Sequence, residues 1–259
     1  MMEEHSCHHW LDYDPGEPQY YNFEANVVAA GSKIADVYEQ FSNARMSLEY
    51  MECKNFGDLI SKTDELHLTM LRSRFLKEAL AYYNYCIDLS WQVLWYFYGE
   101  NDLGLIIDEN RFFNSASKCN FEELTYKLTL AKEFKIRERL KSFFNSNLTR
   151  EIRDMYNYLK HRGSTYTEGL GVQYEHLAVS VGYENPDGSV NEIKHRMLTR
   201  RTLDISSWQE KLKEFDKTFY HYFEELIKYI MPIGYLDNSY HMFAPYYYDK
   251  KIRSYIESR

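Results

Sequence analysis

Val27, Ala30, Ile34, Val37, Phe41, Ala44, Leu48 and Met51 recur at alternating steps of three and four without a break. On an α-helix of 3.6 residues per turn this rhythm draws a narrow apolar seam along one side. A seam of that kind is covered by other helices, so it binds the chain to helix-on-helix packing.

Further segments repeat the rhythm. A second helix is predicted from about Glu65 to Tyr98, on Leu76, Leu80, Tyr83, Ile87, Ser90, Leu94 and Phe97. Trp91 and Trp95 broaden its apolar face, and Gly99 supplies a C-cap. Residues 100–119 read as a loop with a short apolar piece at Leu103–Ile107. A third helix is expected to begin at Asn120, with Asn120 and Glu123 at capping-box spacing and Leu124, Leu128, Ala131 and Leu140 buried. After the break at Asn145-Ser-Asn147, a fourth helix runs to Gly163.

The period then changes. Val172 to Tyr183 alternates β-branched and aromatic residues, Asn185-Pro-Asp-Gly188 signals a turn, and Val190 to Leu203 is again extended. This predicts a β-hairpin. Ser207 and Glu210 have capping-box spacing ahead of a last helix carrying Trp208, Leu212, Phe215, Phe219, Tyr222, Leu226 and Tyr229, which ends at Pro232. The expected fold is mainly α: an up-and-down bundle of four to five long helices with one inserted β-hairpin. Residues 1–21 read as an irregular lead-in, 22–231 as the bundle with its hairpin at about 170–203, and 232–259 as an aromatic tail packing on the bundle or on a partner.

Composition narrows the function classes. A chain of 259 residues at 44% hydrophobic content can bury a sizeable core. The net charge of −8 provides no global field for nucleic acid, so such a site must be a local basic patch. Cys7, Cys53, Cys86 and Cys119 form no CxxC pair, which implies neither a disulfide framework nor a zinc knuckle. Neither a signal peptide nor an apolar run of membrane-spanning length is visible, so a reducing cytoplasm and no membrane partner are expected. The 25 tyrosines fit either codon bias or a tyrosine-rich interface.

The segment Arg150-Glu-Ile-Arg-Asp-Met-Tyr-Asn-Tyr-Leu-Lys-His-Arg-Gly163 carries the chemistry. Ile152, Met155, Tyr156 and Leu159 form its apolar stripe, while Arg153, Asn157 and His161 recur every fourth residue elsewhere on the helix. Each step of four turns only about 40°, so a guanidinium, an amide and an imidazole share a side. RNA is cut without metal when its 2′-hydroxyl attacks the adjacent phosphate. That reaction wants an imidazole to move a proton and cationic donors on the phosphate. Lys160, His161 and Arg162 equally suit a plain helix end, where cations complement the dipole by roughly 0.3–1 kcal/mol each.

An arginine with a polar follower, then an asparagine and a Lys-His ending on a late helix of an α-bundle resembles the HEPN superfamily. The segment Asp88-Leu-Ser-Trp-Gln92 is also similar to segments of HEPN-like proteins. The resemblance implies a metal-independent endoribonuclease of toxin–antitoxin or phage-defence type that works as a homodimer, with two motifs facing one cleft. On that reading Arg153 is the phosphate clamp, Asp154 its polar follower, His161 the general acid/base and Asn157 a positioning group. Lys160, Arg162 and Arg150 would bind backbone phosphates, and no cofactor or metal is implied. Partners would be RNA, a second copy and a protein such as an antitoxin. Seven residues separate Arg153 from His161, one more than the family's usual range, which turns the two side chains roughly 80° apart. Two alternatives follow from the same residues: an inactive HEPN-like module binding RNA or protein, and a structural bundle assembling through its tyrosine-rich tail.

Other candidates are less developed. Glu192-Ile-Lys-His195 has di-iron spacing but falls in the expected hairpin, where a step of three puts the side chains on opposite faces. His5, Cys7, His8 and His9 fit a disordered terminus that binds metal opportunistically. His67, His176, His195, His221 and His241 are isolated and read as surface or satisfied histidines rather than catalysts. The run His195-Arg-Met-Leu-Thr-Arg-Arg201 would either guide RNA or protect a strand edge with charge.

Overall fold

The seam at Val27–Met51 lies on helix α2 (Ala25–Glu52), which buries Ile34, Val37, Phe41, Ala44, Leu48 and Met51. The computed structural model describes residues 5–57, 64–171, 178–196 and 200–258; for 178–181, 183 and 191–196 it describes the backbone alone. Helix α3 (Glu65–Phe97) starts where Asp64 caps the His67 N–H and buries Leu76, Leu80, Tyr83, Ile87, Ser90 and Leu94. The two helices run antiparallel. Asn26 at the start of α2 donates to the Phe97 carbonyl at the end of α3, and the Tyr50 and Phe75 rings meet at the other end.

Helix α9 (Ile205–Ile230) lies against both. Its Phe215 packs on Tyr83, Phe219 on Phe41, and Tyr222 approaches Ser90. Asp204 caps α9 through the Ser207 N–H, so the helix begins earlier than the Ser207/Glu210 spacing suggests. Inside the three-helix junction, Arg45 makes a bidentate pair with Asp216, with Nε–Oδ1 and Nη2–Oδ2 both 2.8 Å. Tyr83 donates to the same carboxylate at 2.9 Å. All of the carboxylate's contacts are charge-assisted, which is how a buried ion pair is made tolerable.

Several sequence expectations are corrected. Residues 100–119 hold two helices, α4 (Gly104–Ile107) and α5 (Glu109–Ala116), the latter capped by Asp108. The single third helix is two, α6 (Phe121–Leu130) and α7 (Phe134–Phe144). Lys132 between them adopts φ 61°, a left-handed conformation that no helix can continue through. Leu124, Leu128 and Leu140 are buried as expected, but Ala131 at the break is exposed.

The lead-in is not irregular either. A 3-10 turn, His8–Tyr13, carries Trp10 into the core against Phe41 and Phe223, and α1 (Glu17–Asn22) follows. Burying an indole outweighs the polar composition of its neighbours. From the other direction, Tyr235 is wholly buried, its hydroxyl donating to the Tyr13 carbonyl directly over Gly31. A Cβ at Gly31 would lie 2.0 Å from that hydroxyl oxygen, so glycine is what lets Tyr235 lie on α2. Helix α10 (Ala244–Glu257) packs along α1 through Tyr248.

Beyond helix α8 (Asn147–Arg162) lie two small sheets. Strands β2 (Ala178–Glu184) and β3 (Val190–Arg196) pair antiparallel from Ala178↔Arg196 to Glu184↔Val190 across the Asn185–Ser189 turn. Residues 172–177 and 197–199, parts of the expected extended stretches, lie outside the described residues. The flanks do not lengthen this pair. Strand β1 (Tyr166–Thr167) instead lies parallel to β4 (Thr202–Leu203), bringing the chain back from α8 to the start of α9. Among the described residues no helix is long and apolar enough to cross a membrane.

Candidate nucleic-acid interface on helix α8

The candidate residues ride on α8 because its apolar stripe is anchored. Ile152 and Met155 are buried, and Tyr156 and Leu159 pack at the margin of the core. Ser146 caps the helix through the Thr149 N–H. Gly163 ends it at φ 100° and ψ −156°, a conformation only glycine adopts without strain. Helix α8 runs antiparallel to α3: Tyr156 meets Tyr85 and, one turn earlier, Arg153 meets Asp88.

Arg153 is held from three directions. Its Nη1 donates to Asp88 Oδ1 at 2.8 Å, while the guanidinium carbon sits 4.9 Å from the Trp91 ring centroid and 5.2 Å from that of Phe144. The cation is thus lodged against two aromatic rings and aimed at α3. Only one of its five N–H donors is engaged by the carboxylate.

Asn157 and His161 take the outer surface. Both are exposed, and neither enters a hydrogen bond or ion pair among the described residues. Lys160 and Arg162 flank the imidazole and are exposed too. Lys160 approaches the Tyr156 ring at 6.0 Å. These groups stand at the helix C-terminus, whose open carbonyls favour positive charge. Arg150 is turned away to the Asn145 side-chain oxygen at 3.0 Å. The structure therefore brings Asn157, Lys160, His161 and Arg162 into one exposed end, and holds Arg153 two turns back along the helix, beside α3.

The remaining charges of α8 are neutralised by other elements. Arg201 pairs with Asp154 at 2.5 Å and stacks over Tyr158 at 4.6 Å, and Lys211 pairs with Glu151 at 2.6 Å. Asp154, the polar follower in the motif, thereby ties α8 to the β4 approach. Of the expected His195–Arg201 basic run, Arg201 is committed to this pairing and residues 197–199 lie outside the described residues.

Asp88, Trp91 and Phe144 were not singled out as site residues by their own chemistry. The Asp88-to-Trp91 step of three on α3 was the available signal, since it puts a carboxylate and an aromatic ring on adjoining parts of one face. Phe144 has no such signal, because only the α7–α8 turn brings it there.

The N-terminal histidines and Cys7 are held by separate neighbours. Cys7 is buried 3.6 Å from Arg45 Nη1, His8 Nδ1 bonds the Tyr38 hydroxyl, and His9 Nε2 bonds Glu224. The expected disordered terminus is, over residues 5–13, a packed segment. Burial pushes the Cys7 thiol up, the opposite of what a thiolate ligand needs. Among the described residues no group of three or more His, Cys, Asp or Glu side chains is placed to hold a metal. Glu192 and His195 fall on β3, and their side chains lie outside the described ones, as does residue 176.

No protein-family model matches the chain, and neither the curated proteins nor the solved structures contain a match to it.

Proposed function

We propose that this protein is a HEPN-like, metal-independent endoribonuclease whose reaction centre is the outer surface of α8. The observation that carries the reading is that Asn157 and His161 are exposed, with side chains unpartnered among the described residues, beside Lys160 and Arg162, and that an anchored Arg153 keeps N–H donors to spare. Arg150, Arg201 and Lys211, on the same helix or against it, are by contrast engaged by Asn145, Asp154 and Glu151.

His161 takes the proton of an RNA 2′-hydroxyl as that oxygen attacks the neighbouring phosphorus, or returns one to the departing 5′-oxygen. One imidazole serves one transfer at a time. A second copy of the chain, facing the first across α8, supplies the other. The remaining Arg153 donors, with Lys160 and Arg162, meet the phosphate charge that builds between them. Asn157 orients the phosphate or the imidazole. Arg150 contributes only as an outlying phosphate contact.

A second reading is favoured by one specific contact. The Arg153–Asp88 pair points the guanidinium toward α3, while His161 lies eight positions on, a turn of about 80° and a rise of about 12 Å. A helix so arranged also suits an inactive module that grips RNA or a protein such as an antitoxin. Cleavage of total RNA and tRNA in EDTA separates the readings. Wild-type protein is expected to cut, and His161→Ala to lose roughly 100-fold or more of the rate, the usual worth of a general acid/base. Equal cutting by both, or none by either with both folded, excludes the enzyme reading.

A further inference from the structure

We infer that Tyr85, braced by the Tyr156 ring set at 85° to it, is a stacking platform for a nucleobase, and that single-stranded RNA crosses α3 and α8 with one base on Tyr85. This rests on the reading of α8 as an RNA site and names how that site holds its substrate. The two rings come from different helices and meet edge to face, their centroids 5.9 Å apart. Tyr82 joins Tyr85 from the preceding turn of α3 at 6.2 Å.

Tyr156 packs at the margin of the core, but Tyr85 stands outside it. The buried side of α3 is made by Tyr83, Cys86, Ile87 and Ser90, whereas Tyr85 is 39% exposed on the opposite side. An aromatic face open to water accepts any base, since every base has a π-face. Burial, and then the hydrogen bond to Tyr85, push the Tyr156 phenol up to about 12.

The neighbours suit a nucleotide better than a protein side chain. Lys160 lies 6.0 Å from the Tyr156 ring on one side, and Arg153 follows one turn away on the other, its charge held in place by Asp88. A base on Tyr85 therefore has Lys160 on one side and, on the other, the Arg153 donors that Asp88 leaves unengaged, for its two flanking phosphates. Asn157 is the next residue along the helix, and His161 stands one turn beyond it. A duplex buries its base faces in its own stack and cannot use the platform.

Fluorescence anisotropy with a labelled mixed-sequence RNA hexamer, in EDTA, tests this on the His161→Ala background, where no cleavage intrudes. Tyr85→Ala added to that background is expected to weaken binding about tenfold, the scale of one lost base stack, while Tyr85→Phe keeps the affinity. The matched RNA duplex is expected to bind more weakly than the single strand. Unchanged affinity in Tyr85→Ala, an equal loss in Tyr85→Phe, or no hexamer binding by the parent overturns the platform. Tyrosine-dependent binding without wild-type cleavage keeps the platform and removes the nuclease reading. Cleavage with indifferent tyrosines does the reverse.

Discussion

Two arginine–carboxylate pairs show what a residue's surroundings decide. Arg45 and Asp216 have side chains 8% and 14% exposed, and the pair sits where α2, α3 and α9 meet. Removing one partner leaves an uncompensated charge in the core. Asp216→Ala is therefore expected to cost about 3–5 kcal/mol, read as a lowered urea midpoint. Asp88 is 47% exposed, and solvent screens its attraction for Arg153. Asp88→Ala should move the same midpoint by less than about 1 kcal/mol. A fall in Asp88→Ala as large as in Asp216→Ala would show that Arg153 is a structural pin. The candidate residues on α8 were legible because a helix spaces its own side chains, so Arg153, Asn157 and His161 declare their relation in the sequence. The Asp88 partner was not, because it lies 65 positions away and only the antiparallel packing of α3 and α8 joins them.

At the scale of elements, legibility followed the length of the apolar stripe. Helices α2, α3 and α9 each sustain the three-four rhythm for many turns, and a long period admits few other interpretations. The break between α6 and α7 carries no glycine or proline, so nothing local announced it. Lys132 takes the left-handed conformation there because the Glu133 N–H bonds the Leu128 carbonyl and closes α6. Lys132→Gly removes the clash of Cβ with the backbone and is expected to stabilise the protein by about 1 kcal/mol in urea titration. A destabilised glycine variant would mean that the lysine side chain itself holds the turn. The order of the lead-in is illegible in sequence for a different reason. Its composition is polar, and a single indole, Trp10, decides its fate. Average polarity has no weight against one buried ring with aromatic neighbours on both α2 and α9.

For the whole molecule, the abundance of tyrosine sets an alkaline limit. Burial raises the phenols of Tyr83, Tyr96, Tyr98, Tyr222 and Tyr235 above their ordinary value. In the unfolded chain they ionise near pH ~10. Between that pH and their folded values the native state binds more protons than the unfolded one, so stability falls as pH rises and is complete below the unfolded value. The thiols of Cys86 and Cys119, raised by the same burial, add to the fall from about pH 8.5. Urea midpoints should drop above that pH and steeply beyond roughly pH 10. A midpoint that holds into that range would show that water reaches these hydroxyls.

The seating of Trp10 has a consequence in time. Its indole N–H bonds Glu224, 214 positions later in the chain. Helices α2 and α3 are near neighbours in sequence and can pair as soon as both have been made. Trp10 has no such option, since Phe223 and Glu224 do not yet exist when it leaves the ribosome. At about 5–20 residues per second it waits roughly 10–40 s for them. During that interval the groove on α2 that finally receives it stands open, and the newborn chain is at its most vulnerable to chaperones and proteases before the last long helix arrives.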